Sequence, residues 1–413
     1  MKAAQPLLSL DQALERLLAA GAAQRITATE DVPTLETLGR VLAQAVTSPV
    51  DVPPADNTSM DGYALRCADV LSPGTVLPVS QRIPAGHPGA PLQPGTAARI
   101  FTGAQVPAGA DAVVMQEQTQ QQDDGRVRVD VVPSRGQWIR RRGEDIAVGA
   151  AVLQPGERLT PQAMGVAASV GAAHLRCLRR PRVAVFSTGD ELLMPGEPPR
   201  PGAIYNSNRY TLRGLLQAAG CEVQDLGIIP DRLDATRAAL RDAAASNDLI
   251  VTSGGVSVGE EDHLRPAVLA EGRLDLWQIA MKPGKPLALG AVGRPAGQGE
   301  ALFVGLPGNP VSSWVTCILA VLPLLRALQG MPHRPLSPLR LKAAFDWPKP
   351  DRRREFLRAR LNASGEVELF ANQSSGVLTS AHWAHGLVDM ASGQVVSAGD
   401  TVSFLPLADL LNA

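Results

Sequence analysis

Aromatic side chains are scarce. Phe, Trp and Tyr together make up 4% of the chain, too few for the stacking platforms that hold single-stranded nucleic acid. Net charge is nearly absent as well: 39 Lys and Arg stand against 40 Asp and Glu. No global basic field therefore draws nucleic acid or an anionic membrane, and any anion site must be local. The four cysteines, Cys67, Cys177, Cys221 and Cys317, lie far apart without a CxxC pair, which argues against a zinc spacing and fits a reducing cytoplasm. Asp11, Glu15 and Arg16 interrupt the first leucines, so no secretory h-region is read there. The apolar run near Val315–Leu325 is read as broken by Pro323, short of the roughly 20 residues of a membrane span. An HExxH pair, a GxGxxG turn and a GxxxxGK[ST] loop are all missing, which sets aside the zincin, standard dinucleotide and NTPase readings.

What the chain does contain is material for several cores. Its 413 residues exceed one domain of about 150 residues, 45% are hydrophobic, and 39 Gly with 34 Pro predict many turns. Ser9 and Gln12 form a capping box for a helix carrying Leu10, Leu14, Leu17 and Leu18 on one face. Residues 49–145 read as an inserted β-domain of short Val-rich strands such as VLPVSQRI, AARI and RVRV, with Asp124-Gly125 as a hairpin turn. Across residues 181–330, apolar strands alternate with helical patterns, predicting a doubly wound α/β domain with a mostly parallel sheet. Asn309 is expected to cap its last helix, with Pro310 as first residue. The strands EVELF and TVSFL predict a small, barrel-like β-domain over 331–413, and residues 1–48 with 146–180 remain as a helical and β linking domain. The expected fold is multidomain, α/β plus β.

Ligands of an open α/β sheet bind beyond the carboxyl ends of its strands. STGDEL (187–192), SGGVSVGEED (253–262) and GLPGNP (305–310) each follow an apolar strand, and KPGKP (282–286) sits between two more. The four are read as loops at equivalent strand ends. Glycines let backbone N–H groups converge on an anion, helix N-termini add a favourable dipole, and Lys282 and Lys285 supply full charge. The prolines flanking KPGKP restrict the loop and preset both ammonium groups. Acids line the same edge, with Glu191 and Asp262 read as functional and Glu260 as part of a helix's negative first turn. Carboxylates beside a phosphate cradle repel the ligand unless a hard cation lies between, so the mixture predicts Mg²⁺ with a phosphorylated substrate. GVSVG (255–259) matches G-x-S-x-G, but the strand ends several residues before Ser257, whereas a nucleophile elbow needs its serine at the corner. A hydrolase using Ser257 is the alternative reading.

The chain resembles the molybdopterin molybdenumtransferases, the bacterial MoeA proteins and the corresponding domain of gephyrin, along essentially its full length. The matching motifs are DNTSMDGYA, FTGAQVPAGADAVVMQE, IRRRGEDI, FSTGDEL, NSNRYTL, DLGIIPD, TSGGVSVGEED, MKPGKP and GLPGNPVSSW, in that order. The resemblance implies insertion of molybdenum from molybdate into adenylated molybdopterin, releasing AMP and giving the molybdenum cofactor. It implies a homodimer whose cleft lies between subunits, so that Asp61, Thr102 and Asp145 join loops of the other chain. Lys282, Lys285, Ser312, Arg353 and Ser375 would form the molybdate pocket. Gly254, Gly255, Ser257, Gly259, Pro286, Gly308 and Asn309 would bind the substrate, and Glu191, Asp231 and Asp262 would serve Mg²⁺ and the pterin nucleotide. Implied partners are a molybdopterin adenylyltransferase and proteins that accept the finished cofactor; a gephyrin-like scaffold is the non-enzymatic alternative. Two departures stand out. Gln373, Ser374 and Ser375 are followed by Gly376, where the family usually has His or Arg, and RRREF (352–356) leaves both Arg353 and Arg354 open as oxyanion ligand.

Overall fold

The computed structural model describes residues 7–256 and 263–412. They pack into two compact units. The first takes in the chain up to Glu30, Gly39–Val41 and everything from Cys177 onward; the second comprises Asp31–Leu38 and Leu42–Arg176.

The first unit opens with α1 (Leu10–Ala23), where Ser9 Oγ accepts from the Gln12 backbone at 3.1 Å and Gln12 Oε1 accepts from the Ser9 backbone at 3.0 Å. This is the expected capping box. The division by sequence attaches α1 to residues 146–180, but Leu10, Ala13 and Leu17 are buried in one core with Leu324, Leu325 and Leu328 of the first unit. An apolar helix face packs where apolar partners are, whatever its neighbours in sequence.

From β1 (Arg182–Thr188) the chain continues through α2 (Ser207–Ala218), β2 (Glu222–Ile229), α3 (Leu233–Ser246), β3 (Leu249–Ser253), α4 (Leu264–Glu271), β4 (Gly272–Gln278), β5 (Met281–Lys282), β6 (Pro286–Gly293) and β7 (Glu300–Leu306). Six of these strands form one sheet in the order β2-β1-β3-β7-β6-β4. β2, β1, β3 and β7 are parallel, whereas β6 runs antiparallel to β7 and β4 antiparallel to β6. The sheet is mostly parallel, as expected, with β6 alone reversed. The segments joining β4 to β6 and β6 to β7 are far too short for the crossover that parallel pairing requires. Alternation sorts β1 between two cores: Val183 and Val185 share one with residues of α1 and α2, and Ala184 and Phe186 share the other with residues of α3 and α4.

α5 (Pro310–Thr316) passes through a π turn (Cys317–Val321) into α6 (Leu322–Leu328). Pro323 does not break this run. Pro310–Leu328 is a 19-residue helix, long and apolar enough to cross a membrane by length and composition, and 83% of its apolar window is buried inside the protein. The π turn ahead of Pro323 accommodates the missing N–H. β8 (Leu339–Lys342), β9 (Arg354–Leu361), β10 (Val367–Leu369), β11 (Gly386–Met390) and β12 (Thr401–Pro406) build a second sheet in the order β5-β9-β11-β12-β8, with β10 on β9. Its edge strand β5 comes from the KPGKP loop and pairs in parallel with β9, Met281 opposite Arg354 and Lys282 opposite Glu355. The C-terminal region thus shares a sheet with the α/β region.

In the second unit, strand Gly62–Leu65 lies between Ala97–Ile100 and Ala112–Met115 in a six-stranded sheet. Thr119–Gln121 and Arg126–Val129 form the expected hairpin, with Gly125 at φ +81°.

Candidate functional site

Three loops leave the carboxyl ends of β1, β3 and β7, which lie side by side in parallel, and their residues line one cleft of about 830 Å³ in the first unit. Their backbones touch. Gly254 has φ +89°, and a Cβ there would stand 2.8 Å from the Thr188 carbonyl oxygen; only glycine accepts both the dihedral and the approach. Asn208 Nδ2 donates to the Gly308 carbonyl at 2.7 Å, and the Ser187 and Ser253 hydroxyls lie 3.0 Å apart at the strand ends.

KPGKP reaches the same edge by a different route. It precedes β6, an antiparallel strand, so the start of β6 lies level with the end of β7, Ala288 opposite Gly305. The expectation of four equivalent strand ends is corrected in this respect. A Cβ on Gly284, at φ +113°, would overlap Thr316 Oγ1 and crowd Met281, so the loop is seated directly on α5. Lys282, Lys285, Pro286, Gly308, Asn309 and Ser312 all line the cleft, as do Gly254, Gly255, Glu191 and Asp231. Ser312 is buried, and Ser375 enters from the C-terminal region, its carbonyl accepting from Val311 N at 3.0 Å.

The charged wall is a closed network. Lys282 Nζ lies 2.7 Å from Glu355 Oε1 and 3.3 Å from Asp351 Oδ2, and Arg353 grips Asp351 through Nε and Nη2 at 3.0 Å each. Burial pulls the Lys282 ammonium down, and the Glu355 and Asp351 carboxylates overcome it, leaving its pKa raised. The Arg353 guanidinium holds the Asp351 carboxyl far below the usual carboxylate range. Arg353 lines the cleft, whereas Arg354 is held by Asp389 at 2.6 and 2.7 Å and by Asp11 at 3.0 Å, away from it. That places Arg353 rather than Arg354 at the cleft. Lys285 has no side-chain partner among the described residues.

Asn309 stands at the N-cap of α5 with Pro310 at N1, yet its side chain makes no cap bond, contrary to expectation. It is exposed to the cleft instead. Asn206 does cap α2, its Oδ1 accepting from Arg209 N at 3.2 Å, while its buried Nδ2 has no partner among the described residues.

Ser257, Gly259, Glu260 and Asp262 lie outside the described residues. β3 ends at Ser253. Among the described residues no group of three or more His, Cys, Asp or Glu could hold a metal ion, so of the expected acidic set the structure brings Glu191 and Asp231 to one cleft. Asp61, Thr102 and Asp145 belong to the second unit. There Asp61 Oδ1 accepts from both Thr102 N and Thr102 Oγ1 at 2.7 Å, and these bonds lower its pKa. The Asp145 N–H donates to Val52 O at 3.0 Å. The motifs around them are joined by pairing: Ile139 lies opposite Thr58 and Arg140 opposite Asn57.

The sequence reading missed Asp351, Glu355, Arg358, Asn206 and Asn208, all of which line the cleft or brace it. Arg358 carried a legible signal, an arginine inside the strand pattern REFLRARL whose neighbours are all buried.

Family models match most of the chain: the MoeA N-terminal region (domains I and II) over residues 8–171, a probable molybdopterin binding domain over 184–327 and the MoeA C-terminal region (domain IV) over 340–407. The chain is 39% identical to a molybdopterin molybdenumtransferase of Haemophilus influenzae over 98% of its own length and 100% of that protein's. It is also 39% identical to molybdopterin molybdenumtransferase 2 of Mycobacterium tuberculosis, covering 90% and 93% of the two. The crystal structure of the molybdopterin biosynthesis moeA protein from Pyrococcus horikoshii OT3 superposes with a TM-score of 0.82 at 26% identity, covering 97% of this chain and 100% of that one. With that agreement over nearly the whole length, the chain belongs to the molybdopterin molybdenumtransferase (MoeA) family of enzymes.

Proposed function

We propose that this cleft inserts molybdenum from molybdate into adenylated molybdopterin, releasing AMP, in the last step of molybdenum cofactor synthesis. The observation that carries the reading is the convergence of glycine-bearing turns, the KPGKP lysines and Arg353 on one hollow that Glu191 and Asp231 also line. Molybdate is a tetrahedral dianion. Lys282, Lys285 and Arg353 supply charge to it, and Ser312, Ser375 and the backbone N–H groups supply shorter, directed bonds. The turns at Gly254, Gly255 and Gly308 hold the pterin nucleotide beside it, so that the reacting groups are positioned together.

Two carboxylates suit Mg²⁺, which keeps several waters and takes the rest of its shell from substrate phosphates. In this reading Glu191 and Asp231, with Asp262, hold the ion, and when bound it neutralises phosphate charge. A second copy of the chain supplies Asp61, Thr102 and Asp145, which makes the working form a homodimer. The reading places the enzyme in the cytoplasm, with small-molecule substrates, an adenylyltransferase upstream and cofactor-accepting proteins downstream.

AMP release from adenylated molybdopterin is expected only with both molybdate and Mg²⁺ present. Equal release without molybdate overturns the reading in favour of hydrolysis, and a Ser257→Ala protein that then lost nearly all release would locate the nucleophile.

A further inference from the structure

Arg358 is the largest fully buried side chain of the first unit, 1% exposed, and it lines the cleft. Its partners are neutral: Nε donates to Ser380 Oγ at 3.1 Å, Nη1 to the Phe356 carbonyl at 3.4 Å and Nη2 to the Ser374 carbonyl at 3.3 Å. No carboxylate lies within ion-pair distance of it among the described residues. The nearby Glu355 carboxylate is already taken by Lys282 at 2.7 Å. Burial depresses the Arg358 pKa to about 10, against the pull of Glu355, and it therefore stays charged at neutral pH.

A buried cation without a counter-ion is costly, and proteins pair such charges or direct them at a ligand. The count within the cleft's charged wall identifies the missing partner. Lys282 and Arg353 are balanced by Glu355 and Asp351, so this quartet brings no net charge to an incoming anion. Lys285 and Arg358 are the two cations left over on this wall, and with the Glu191 and Asp231 carboxylates of the same cleft assigned to Mg²⁺ in the reading above, the two together match a dianion. The turn 373–375 that Arg358 holds also bears Ser375, and the next residue, Gly376, offers no side-chain charge. Gln373 ties the same turn to the Arg358 backbone in both directions, at 2.9 Å each.

We propose that Arg358 is a positioning residue for the oxyanion, supplying from beneath the Ser374–Ser375 turn the second uncompensated positive charge that the site needs for a tetrahedral dianion. The inference rests on the molybdate reading above. It separates charge from mechanical support, since a lysine at 358 keeps the charge but presents its donors from a single rotatable ammonium instead of a fixed planar fork, and a glutamine keeps polar contacts but not the charge.

The test is equilibrium binding of molybdate to the full-length protein, by calorimetry, for Arg358→Lys, Arg358→Gln, Arg358→Met and the comparison variant Lys285→Ala, each checked for fold by circular dichroism. Gln and Met are two independent ways to remove the charge, so one folded variant suffices. The expected result is binding about ten- to a hundredfold weaker for Gln, Met and Lys285→Ala, with Arg358→Lys recovering to within about threefold of the unaltered protein. Two results overturn the inference alone: Arg358→Gln binding like the unaltered protein, or Arg358→Lys failing as badly as Gln while Lys285→Ala weakens binding as expected. If the unaltered protein binds no molybdate, the reading of the cleft falls and this inference with it.

Discussion

The two walls of the cleft are made of different material. On the sheet side, a Cβ at Gly254 would overlap the Thr188 carbonyl and one at Gly255 the Thr188 hydroxyl, and Gly308 packs against the Gly254 backbone. On the opposite side, Lys282, Asp351, Arg353 and Glu355 meet through side chains, and balance of charge is the constraint. The first wall should fail when volume is added and tolerate changes of charge nearby. The second should tolerate volume and fail when one partner of the network is neutralised.

The sharpest break is expected at Gly254. Alanine there must adopt φ +89° with its Cβ 2.8 Å from a backbone oxygen that cannot move aside. Strain and overlap together predict a loss of about 2 to 4 kcal/mol in urea unfolding and a collapse of activity, since the Thr188 and Gly254 turns would separate. A Gly254→Ala protein as stable as its parent would show that the backbone wall is not close-packed.

The charged wall should show itself in pH dependence. The folded-state pKa of Asp351 is lowered by Arg353, so its contribution to stability is fully present above the unfolded value near 4 and disappears as pH falls below it. The Lys282 pKa is raised, so its contribution is fully present below the unfolded value near 10.4 and is lost as pH rises through the folded one. Stability from this network is thus flat between about pH 5 and pH 10. Asp351→Asn should remove about 1 kcal/mol on that plateau, the scale of a partly exposed ion pair, and flatten the acid-side decline measured by thermal melting at pH 2 to 5. An unchanged acid slope would mean that other carboxylates carry it.

The same contrast explains how much could be read from the chain. The backbone wall was legible because its constraint is local: a glycine is required at a given turn, and the strand before it is a short apolar run, as in LIVTSGG and LFVGLPG. Helix α1 announced its own start through Ser9 and Gln12. The charged wall is non-local. It exists because β5, two residues long, pairs with β9 some 70 positions later and sets Lys282 opposite Glu355. No periodicity in a two-residue strand reveals that pairing, so Asp351 and Glu355 went unseen and Arg354 looked equal to Arg353. The antiparallel course of β6 was hidden for a similar reason. The Val- and Leu-rich segments read alike in either direction, and only the shortness of the connections decides.

The smallest expected effect separates two asparagines that look alike in sequence. Both stand at helix N-caps beside the cleft. Asn206 makes its cap bond to Arg209 N at 3.2 Å, whereas Asn309 makes none. Loss of a working cap costs about 1 kcal/mol, so Asn206→Ala should lower stability by that amount, and more where its removal also disturbs the buried Ser187 contact at 3.5 Å. Asn309→Ala should lie within about 0.5 kcal/mol of the parent, as for surface substitutions. Pro310 already presets the first turn without a side-chain cap. If Asn309 is retained for the ligand rather than the helix, its alanine variant should raise KM for the pterin nucleotide while melting unchanged. A fall in melting temperature equal to that of Asn206→Ala would return Asn309 to the ordinary role of a helix cap.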